Sequence, residues 1–407
     1  MKCRYCTSEL EFLLIDLGAQ PPSNSYLNLE DLNKAEIYLP LKVFVCSQCF
    51  LVQTADFTSK ETFFNDEYAY FSSNSRTWLQ HAEKYVSHVI KQFELDETSF
   101  VIEIGSNDGY LLKNFLNRNI RCIGIEPTAS TAAVGKSLGI QTIVDFYQSG
   151  TAHSIKNKYG SADLIICNNV YAHVPDINDF TEALEISLSE NGVITIEFPH
   201  LLNLVEYCQF DTIYHEHFSY FSVQAVQNIF ASKNLRIFKV EELTTHGGSV
   251  RIYGCKLSAS HVTCDSVNEI LVKEKERGLF DLNSFKDFHE RAVNIKLGLI
   301  EFLLKAKKEG KLVCGYGAAA KGNTLLNFAG IKSDLLPFVG DIALSKINKF
   351  LPGSRIPIIA PNAIDDLSPD FVVILSWNIA NEVKSQFPEL VARGCKFLIF
   401  VPELREV

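Results

Sequence analysis

Two apolar runs that end in glycine loops constrain this chain more than any other feature. The first is Phe100-Val-Ile-Glu-Ile, which enters Gly105-Ser-Asn-Asp-Gly109. The second is Leu312-Val-Cys, which enters Gly315-Tyr-Gly317. A strand that turns through glycine into a helix opens a doubly wound α/β unit. In the middle of the chain, further strands are expected at 121–126, 164–168 and 192–198, with helices between them. After the second loop, the strands expected at 336–341, 371–376 and 396–401 join the one at 312–315. Two such units in tandem suit a chain of 407 residues.

Three segments follow. Residues 1–70 carry two cysteine pairs and little periodicity. Residues 71–290 open with a helical stretch at 78–93 and contain the first glycine loop, which leads into a second helical stretch at 110–118. Residues 291–407 contain the second loop. A charged, helix-like stretch at 267–308 links the last two segments.

The formal net charge of −10 leaves no basic face of the kind nucleic-acid binders show, so no nucleic-acid partner is expected. The N-terminus, Met-Lys-Cys-Arg-Tyr-Cys, lacks the apolar run of a signal peptide. No uncharged apolar stretch reaches the 18 or so residues of a membrane span. A cytoplasmic protein with a small-molecule partner is expected. In that compartment the eleven cysteines stay reduced, and cysteine pairs point to metal.

Cys3 and Cys6 form one CxxC pair, and Cys46 and Cys49 form another. Two such turns complete a tetrahedral zinc shell. With four thiolates filling it, no position remains for a catalytic water, so a structural zinc is expected. Free thiols and a redox pair are the alternatives.

In the first loop, Gly105 lets the backbone pass close to a ligand and Gly109 permits the turn into a helix. That helix N-terminus would favour a carboxylate. Glu126, at the next strand end, can accept from both hydroxyls of a ribose. The Gly-x-x-x-Gly spacing, with Glu103 two residues earlier, resembles the loop of class I methyltransferases. On that likeness Gly105, Asn107, Gly109 and Glu126 are candidates to bind S-adenosylmethionine. Asn168, Asn169 and His173 follow the 164–168 strand, at the mouth of such a site. A plain turn or a dinucleotide fold remains the other reading.

Residues 211–220 crowd titratable groups together, centred on Tyr214-His-Glu-His217. Carbon–carbon bond formation needs a base to make a carbon nucleophile and a group to stabilise the resulting oxyanion. Tyr214, His215, Glu216 and His217 contain both roles. A metal site on two histidines and a glutamate, or a structural turn, are the alternatives.

Taken in order, the double CxxC, Glu67-Tyr-Ala-Tyr-Phe-Ser-Ser73, Ile104-Gly-Ser-Asn-Asp-Gly109, Tyr214-His-Glu-His217, His246-Gly-Gly-Ser249 and Gly315-Tyr-Gly-Ala-Ala-Ala-Lys-Gly-Asn323 resemble one family across essentially the whole chain. These are the zinc-containing TDP-sugar C-3 methyltransferases of branched deoxysugar biosynthesis. The resemblance implies an α/β protein with a small N-terminal zinc-binding domain, a class I methyltransferase Rossmann-like domain and a C-terminal Rossmann-like domain. It implies S-adenosylmethionine and Zn2+ as cofactors and a TDP-4-keto deoxysugar as substrate, with a monomer expected. It implies His217 as the base that takes the C-3 proton, with Tyr214 and Glu216 beside it. Tyr70, Ser73, His173, Lys321 and Asn323 would meet the nucleotide sugar. Ala319 stands where proline is common in the family, a small departure.

Weighed alone, the second loop is not a Walker loop, since Lys321 is followed by Gly322. It could hold a dinucleotide with Asp341 on the ribose. An NAD-dependent sugar oxidoreductase or epimerase is therefore the rival reading, and a non-catalytic nucleotide-sugar-binding protein a second.

Overall fold

A computed structural model describes residues 1–56, 71–74 and 76–407; Tyr70 lies outside the described residues. Among these, the strands form three sheets. The N-terminal sheet contains β1 (Phe12–Gln20), β2 (Leu39–Val45) and β3 (Val52–Thr54), all antiparallel. The alternating burial of β2 places Leu41, Val43 and Val45 inward.

The central sheet has seven strands. β4 (Phe100–Ile104), β5 (Arg121–Ile125), β6 (Gln141–Ile143), β7 (Ala162–Asn168) and β8 (Leu188–Pro199) are parallel. β9 (Ser219–Tyr220) leaves this unit and pairs with β3, which completes the N-terminal sheet. β10 (Leu235–Leu243) and β11 (Ser249–Lys256) return to the central sheet, with β11 antiparallel to β8. The order is β10-β11-β8-β7-β4-β5-β6.

The third sheet contains β12 (Val313–Tyr316), β13 (Val339–Gly340), β14 (Ile358–Ile359), β15 (Phe371–Ile374), β16 (Lys396–Ile399) and the antiparallel β17 (Arg405–Glu406). Its order is β14-β13-β12-β15-β16-β17. The chain reverses direction through this sheet between β12 and β15, as it does through the central sheet between β4 and β7. These are the switch points where open α/β sheets bind ligands.

Amphipathic helices cover the sheets. On Arg76–Gln92, Ala82, Tyr85, Val86 and Val89 fall on one face and join the core over β4. A second core runs without a break from β1 and β2, through Leu201, Phe210 and Ile213, into Val339 and Val373 of the third sheet. The three segments therefore pack as one body. Among the described residues, no helix is long and apolar enough to cross a membrane.

Four expectations differ from the structure. The stretch 110–118 is helical only over Lys113–Leu116, between turns. Asn107 and Asn119 take φ of 49° and 56°, so asparagines bound the segment at both ends in the left-handed region. A helix this short presents little dipole to a ligand. The strand expected at 336–341 shortens to Val339–Gly340, because Pro337 lacks an N–H for the ladder. The stretch 267–308 breaks into Asp265–Glu276 and Phe288–Lys308 around Gly278, at φ 77°. A boundary at 290 falls inside the second of these helices.

Besides Val267 and Ile270 in the core, a buried carboxylate ties Asp265–Glu276 to the central unit. Glu274 accepts from His200 Nε2 at 2.7 Å and from the backbone amides of Val223 and Gln224. His200 and Glu274 are both at most 1 % exposed. Glu274→Ala leaves an imidazole and two amides without acceptors, so we expect a loss of about 2–4 kcal/mol in urea unfolding. Unchanged stability would show that water replaces the carboxylate.

Candidate active site

The carboxyl ends of the central and third sheets open onto one cavity of about 880 Å³. One end is lined by Gly105, Asn107, Glu126, Asp145 and Phe146, which follow β4, β5 and β6. The other is lined by Lys321, Ser376 and Asn378, which follow β12 and β15. Tyr214, Glu216 and His217 line the wall between them.

At the first end, Gly105 has φ 66°, and a Cβ there would stand 2.5 Å from Val170 Cγ2. Glu126 accepts from the amides of Asn107 and Thr128, each at 2.9 Å. Those bonds fix its carboxylate at the cavity wall, and burial raises its pKa. Asn168 Oδ1 and Asn169 Nδ2 are buried without a hydrogen-bond partner among the described residues. Gly109 is placed differently: it does not line the cavity, and a Cβ there would come within 3.2 Å of Gly135 Cα. It serves close packing against the helix Ala129–Ser137. Ser73 also stands back from the cavity, exposed, with its amide donating to Asp108 Oδ2 at 3.0 Å. Its neighbour Ser72 lines the cavity instead.

At the wall, His217 Nδ1 lies 2.9 Å from the carbonyl of Thr212. A carbonyl only accepts, so Nδ1 carries the hydrogen and Nε2 carries the lone pair. Burial, with His173 next in effect, depresses the His217 pKa well below the ordinary histidine value. The ring is therefore neutral near pH 7. It lies tilted against Tyr214 with centroids 3.9 Å apart and meets the edge of His173 at 4.7 Å. Burial also holds His173 down, to about 4, against the bond its ring makes to the Glu216 backbone. Glu216 moves the other way. Burial raises it to about 7, against a hydrogen bond from Asn24 that lowers it. His215 faces the N-terminal sheet, with Nε2 3.2 Å from the Leu39 carbonyl. It is not a cavity residue, because the backbone of 214–217 turns successive side chains to different sides. Among the described residues, the metal-binding group of histidines, cysteines or acids is the cysteine cluster, not this segment.

At the far end, Lys321 donates to Asn378 Oδ1 at 3.1 Å and lies over the Trp377 ring at 4.5 Å. Burial lowers it to about 8, against the attraction of Asp211. Asn323, expected at the ligand, is 1 % exposed and spends its amide on the Ser23 carbonyl at 2.6 Å. It ties two segments together and does not line the cavity. Asp341 accepts from the Ala343 amide and stands 3.6 Å from Lys346, whose amine also meets the Ala318 carbonyl. One amide and the nearby Lys346 thus take part of the acceptor capacity of this carboxylate.

The four cysteine sulfurs lie within 4.8 Å of one another. Cys3 and Cys49 are 3.6 Å apart, and Cys6 and Cys46 are 3.5 Å apart. A Zn–S bond of about 2.3 Å gives a tetrahedron edge of about 3.8 Å, so this cluster fits zinc. Gln53 Nε2 donates to Cys3 Sγ at 3.2 Å, an outer contact that steadies a thiolate.

Residues 3–64 match the family described as "Putative zinc binding domain". Residues 78–240 match "Methyltransferase domain", and residues 244–402 match "C-methyltransferase C-terminal domain". The C-methyltransferase NovU of Streptomyces niveus is 31% identical over 406 residues, covering 100% of this chain and 96% of its own. The chain belongs to the C-methyltransferase family. Among solved structures it is similar to the magnesium protoporphyrin IX methyltransferase of Synechocystis with bound SAM, at 12% identity and TM-score 0.34, over 44% of this chain and 79% of that one. It is also similar to an S-adenosylmethionine-dependent methyltransferase of Anabaena variabilis, at 16% identity and TM-score 0.36, over 43% and 85%.

This C-methyltransferase is an S-adenosylmethionine-dependent enzyme with a zinc-binding domain and a class I methyltransferase fold. The residues present fit that cofactor. The glycine turn brings backbone to the cavity, Glu126 keeps acceptor lone pairs beside it, and Asn168 and Asn169 hold buried polar atoms in want of partners. Several cavity residues were not read from the sequence: Asn24, Trp78, His81, Lys346 and Asn378. His246 was marked by its motif but given no role. It takes φ 52° at the cavity wall, with Trp78 5.3 Å away.

Cys46→Ser should abolish zinc retention and destabilise the N-terminal sheet, because the metal supplies much of the stability of such a small unit. Metal analysis of protein purified without chelator checks this. Full zinc occupancy in the variant would remove Cys46 from the ligand set.

Proposed function

We propose that this enzyme methylates C-3 of a TDP-linked 4-keto deoxysugar. The observation that carries the reading is His217, whose Nδ1–H is committed to Thr212 while its ring lines a cavity that also reaches Glu126. A neutral imidazole with a free Nε2 lone pair is suited to removing a proton from carbon next to a ketone. The 4-keto group makes the C-3 hydrogen acidic, and the resulting enolate is the carbon nucleophile.

S-adenosylmethionine, when bound, supplies a methyl group already activated by a sulfonium. Gly105, Asn107, Glu126 and Asn168 would hold it, the carboxylate of Glu126 accepting from the ribose. Positioning of the two reactants across the shared cavity replaces a bimolecular encounter. His217 takes the C-3 proton, which leaves through solvent. The Tyr214 hydroxyl is a donor on the same cavity and suits the developing enolate oxygen. Lys321, with Asn378 beside it, suits the diphosphate of the nucleotide, while His173 packs on the ring of the base. The cysteine cluster holds zinc away from this chemistry. We place this reaction in branched deoxysugar biosynthesis.

Two substitutions test separate halves. Glu126→Ala should weaken S-adenosylmethionine binding by about 1–3 kcal/mol through lost ribose hydrogen bonds; unchanged affinity in calorimetry would put the ribose elsewhere. His217→Asn should bind S-adenosylmethionine normally yet lose turnover by about a hundredfold or more. With S-adenosylhomocysteine bound, the wild type should exchange the C-3 hydrogen of a TDP-4-keto sugar with deuterated water, and the variant should not. A variant that keeps both exchange and turnover would mean that His217 is not the base.

A further inference from the structure

Asn24 lies in the N-terminal segment, 192 residues before Glu216. Nothing in its neighbourhood marks it as functional. In the fold its Nδ2 stands 2.9 Å from Glu216 Oε1 and 3.0 Å from Oε2, and both residues line the cavity. An amide nitrogen can only donate. Placed between the two oxygens, it favours the carboxylate over the carboxylic acid. No arginine or lysine bonds to Glu216 among the described residues, so this amide is the donor its carboxyl group has.

The loop that carries Asn24 is held by the C-terminal unit. Asn323 Nδ2 donates to the Ser23 carbonyl at 2.6 Å. Tyr26 donates to the Ala318 carbonyl at 2.6 Å. Pro21 packs where Gly353 leaves room: a Cβ on that glycine would sit 2.8 Å from the Pro21 ring. Bonds on either side of Asn24 therefore fix the point from which it reaches Glu216.

We propose that Asn24 is a positioning residue that biases Glu216 towards its ionised, acceptor-only form on the cavity wall, and that Asn323 acts through Asn24 by holding its loop. The proposal rests on the sugar-methylation reading for its substrate. It adds a requirement to that reading: the ligand must present a hydroxyl or amino hydrogen to Glu216. Burial alone drives a carboxyl group toward its neutral form, and a neutral Glu216 would offer a donor instead. Removing Asn24 removes the opposing influence, so the titration of Glu216 moves to higher pH. Other titratable groups face Glu216. Tyr214 and His217 come from its own segment, His173 from the segment after β7, Tyr26 from the N-terminal loop, and Lys321 and Lys346 from the C-terminal unit.

The test reads Glu216 directly. Full-length zinc-loaded protein is labelled with carboxyl-¹³C glutamate, and the Glu216 signal is assigned by its loss in Glu216→Gln. Its midpoint should lie near 7 in the wild type. It should rise by about one unit or more in Asn24→Ala, a tenfold gain in proton affinity. Asn24→Asp, of nearly the same shape, faces Glu216 with a like charge and should raise it further. The kcat/KM profile on a TDP-4-keto sugar should then rise with pH later in Asn24→Ala, losing about fivefold at pH 7 for a one-unit shift, measured relative to a wild-type profile that carries the same Lys321 titration near 8. Asn323→Ala should shift the midpoint in the same direction by less. Retained zinc and S-adenosylmethionine binding establish that each variant is folded, and Asn24→Asp decides the matter if Asn24→Ala is not. A midpoint that stays put or falls overturns the proposal, as does a loss of turnover that is equal at every pH. A wild type that does not methylate the sugar counts against the proposed function, whereas the ¹³C titration still decides the role of Asn24.

Discussion

A buried segment without regular structure must find partners for its backbone groups in other parts of the chain. Residues 209–221, with only a single 3₁₀ turn and the two-residue β9, are largely such a segment, and every unit of this protein contributes to satisfying it. β9 adds to the N-terminal sheet through β3. The Phe218 amide donates to the Ala172 carbonyl of the central unit at 2.8 Å. Thr324 Oγ1, from the C-terminal unit, donates to the Ile213 carbonyl at 2.8 Å. Trp377 Nε1 donates to the buried Asp211 at 2.7 Å, and Phe210 meets the ring of Phe328 at 5.6 Å. Since the clamps come from all three units, three of them from the C-terminal one, the titratable cluster acquires its shape only when all the units are docked.

That dependence explains why the two open sheets face each other. An open α/β sheet offers a ligand the crevice at its switch point, and here two crevices meet in one cavity. Each end has its own polar equipment, Glu126 with Asn168 on one side and Lys321 with Asn378 on the other. The reactive wall lies between. In the second dinucleotide-type unit, Tyr26 and Lys346 both donate to the Ala318 carbonyl of the glycine loop. The unit keeps the fold of a dinucleotide-binding domain and gives its loop carbonyl to the protein itself.

Much of this was legible in local sequence. The strand β4 and its glycine loop are a contiguous apolar run with a sharp break, and the four cysteines announce a closed shell by spacing alone. Periodicity failed where a single residue outweighed the pattern, as at Pro337 in the ladder and Gly278 in the long helical stretch. Gly109 and Asn323 were misread for a different reason. Both sit in motifs that meet ligands, yet one packs against Gly135 and the other holds Ser23, and neither partner is visible from the motif. Asn24 could not be found at all, because its meaning is a contact across 192 residues.

The electrostatics of the cavity follow from the burial of its titratable groups. Burial pushes each group toward its neutral form: His217 and His173 down, Glu216 up to about 7, Lys321 down to about 8. A neutral His217 is ready to accept a proton, but the imidazolium it would become is disfavoured by the same burial and by the neighbouring Lys321. A base held this low is weak. On the proposed reading, the substrate itself corrects this. A diphosphate settled against Lys321 cancels the positive charge that opposes imidazolium formation, and the pKa of His217 rises with it. The base then gains strength only when the nucleotide sugar is in place. Recognition of the nucleotide and acidity at C-3 become parts of one charge balance, which is a physical reason for placing a nucleotide-fold unit opposite a methyltransferase fold.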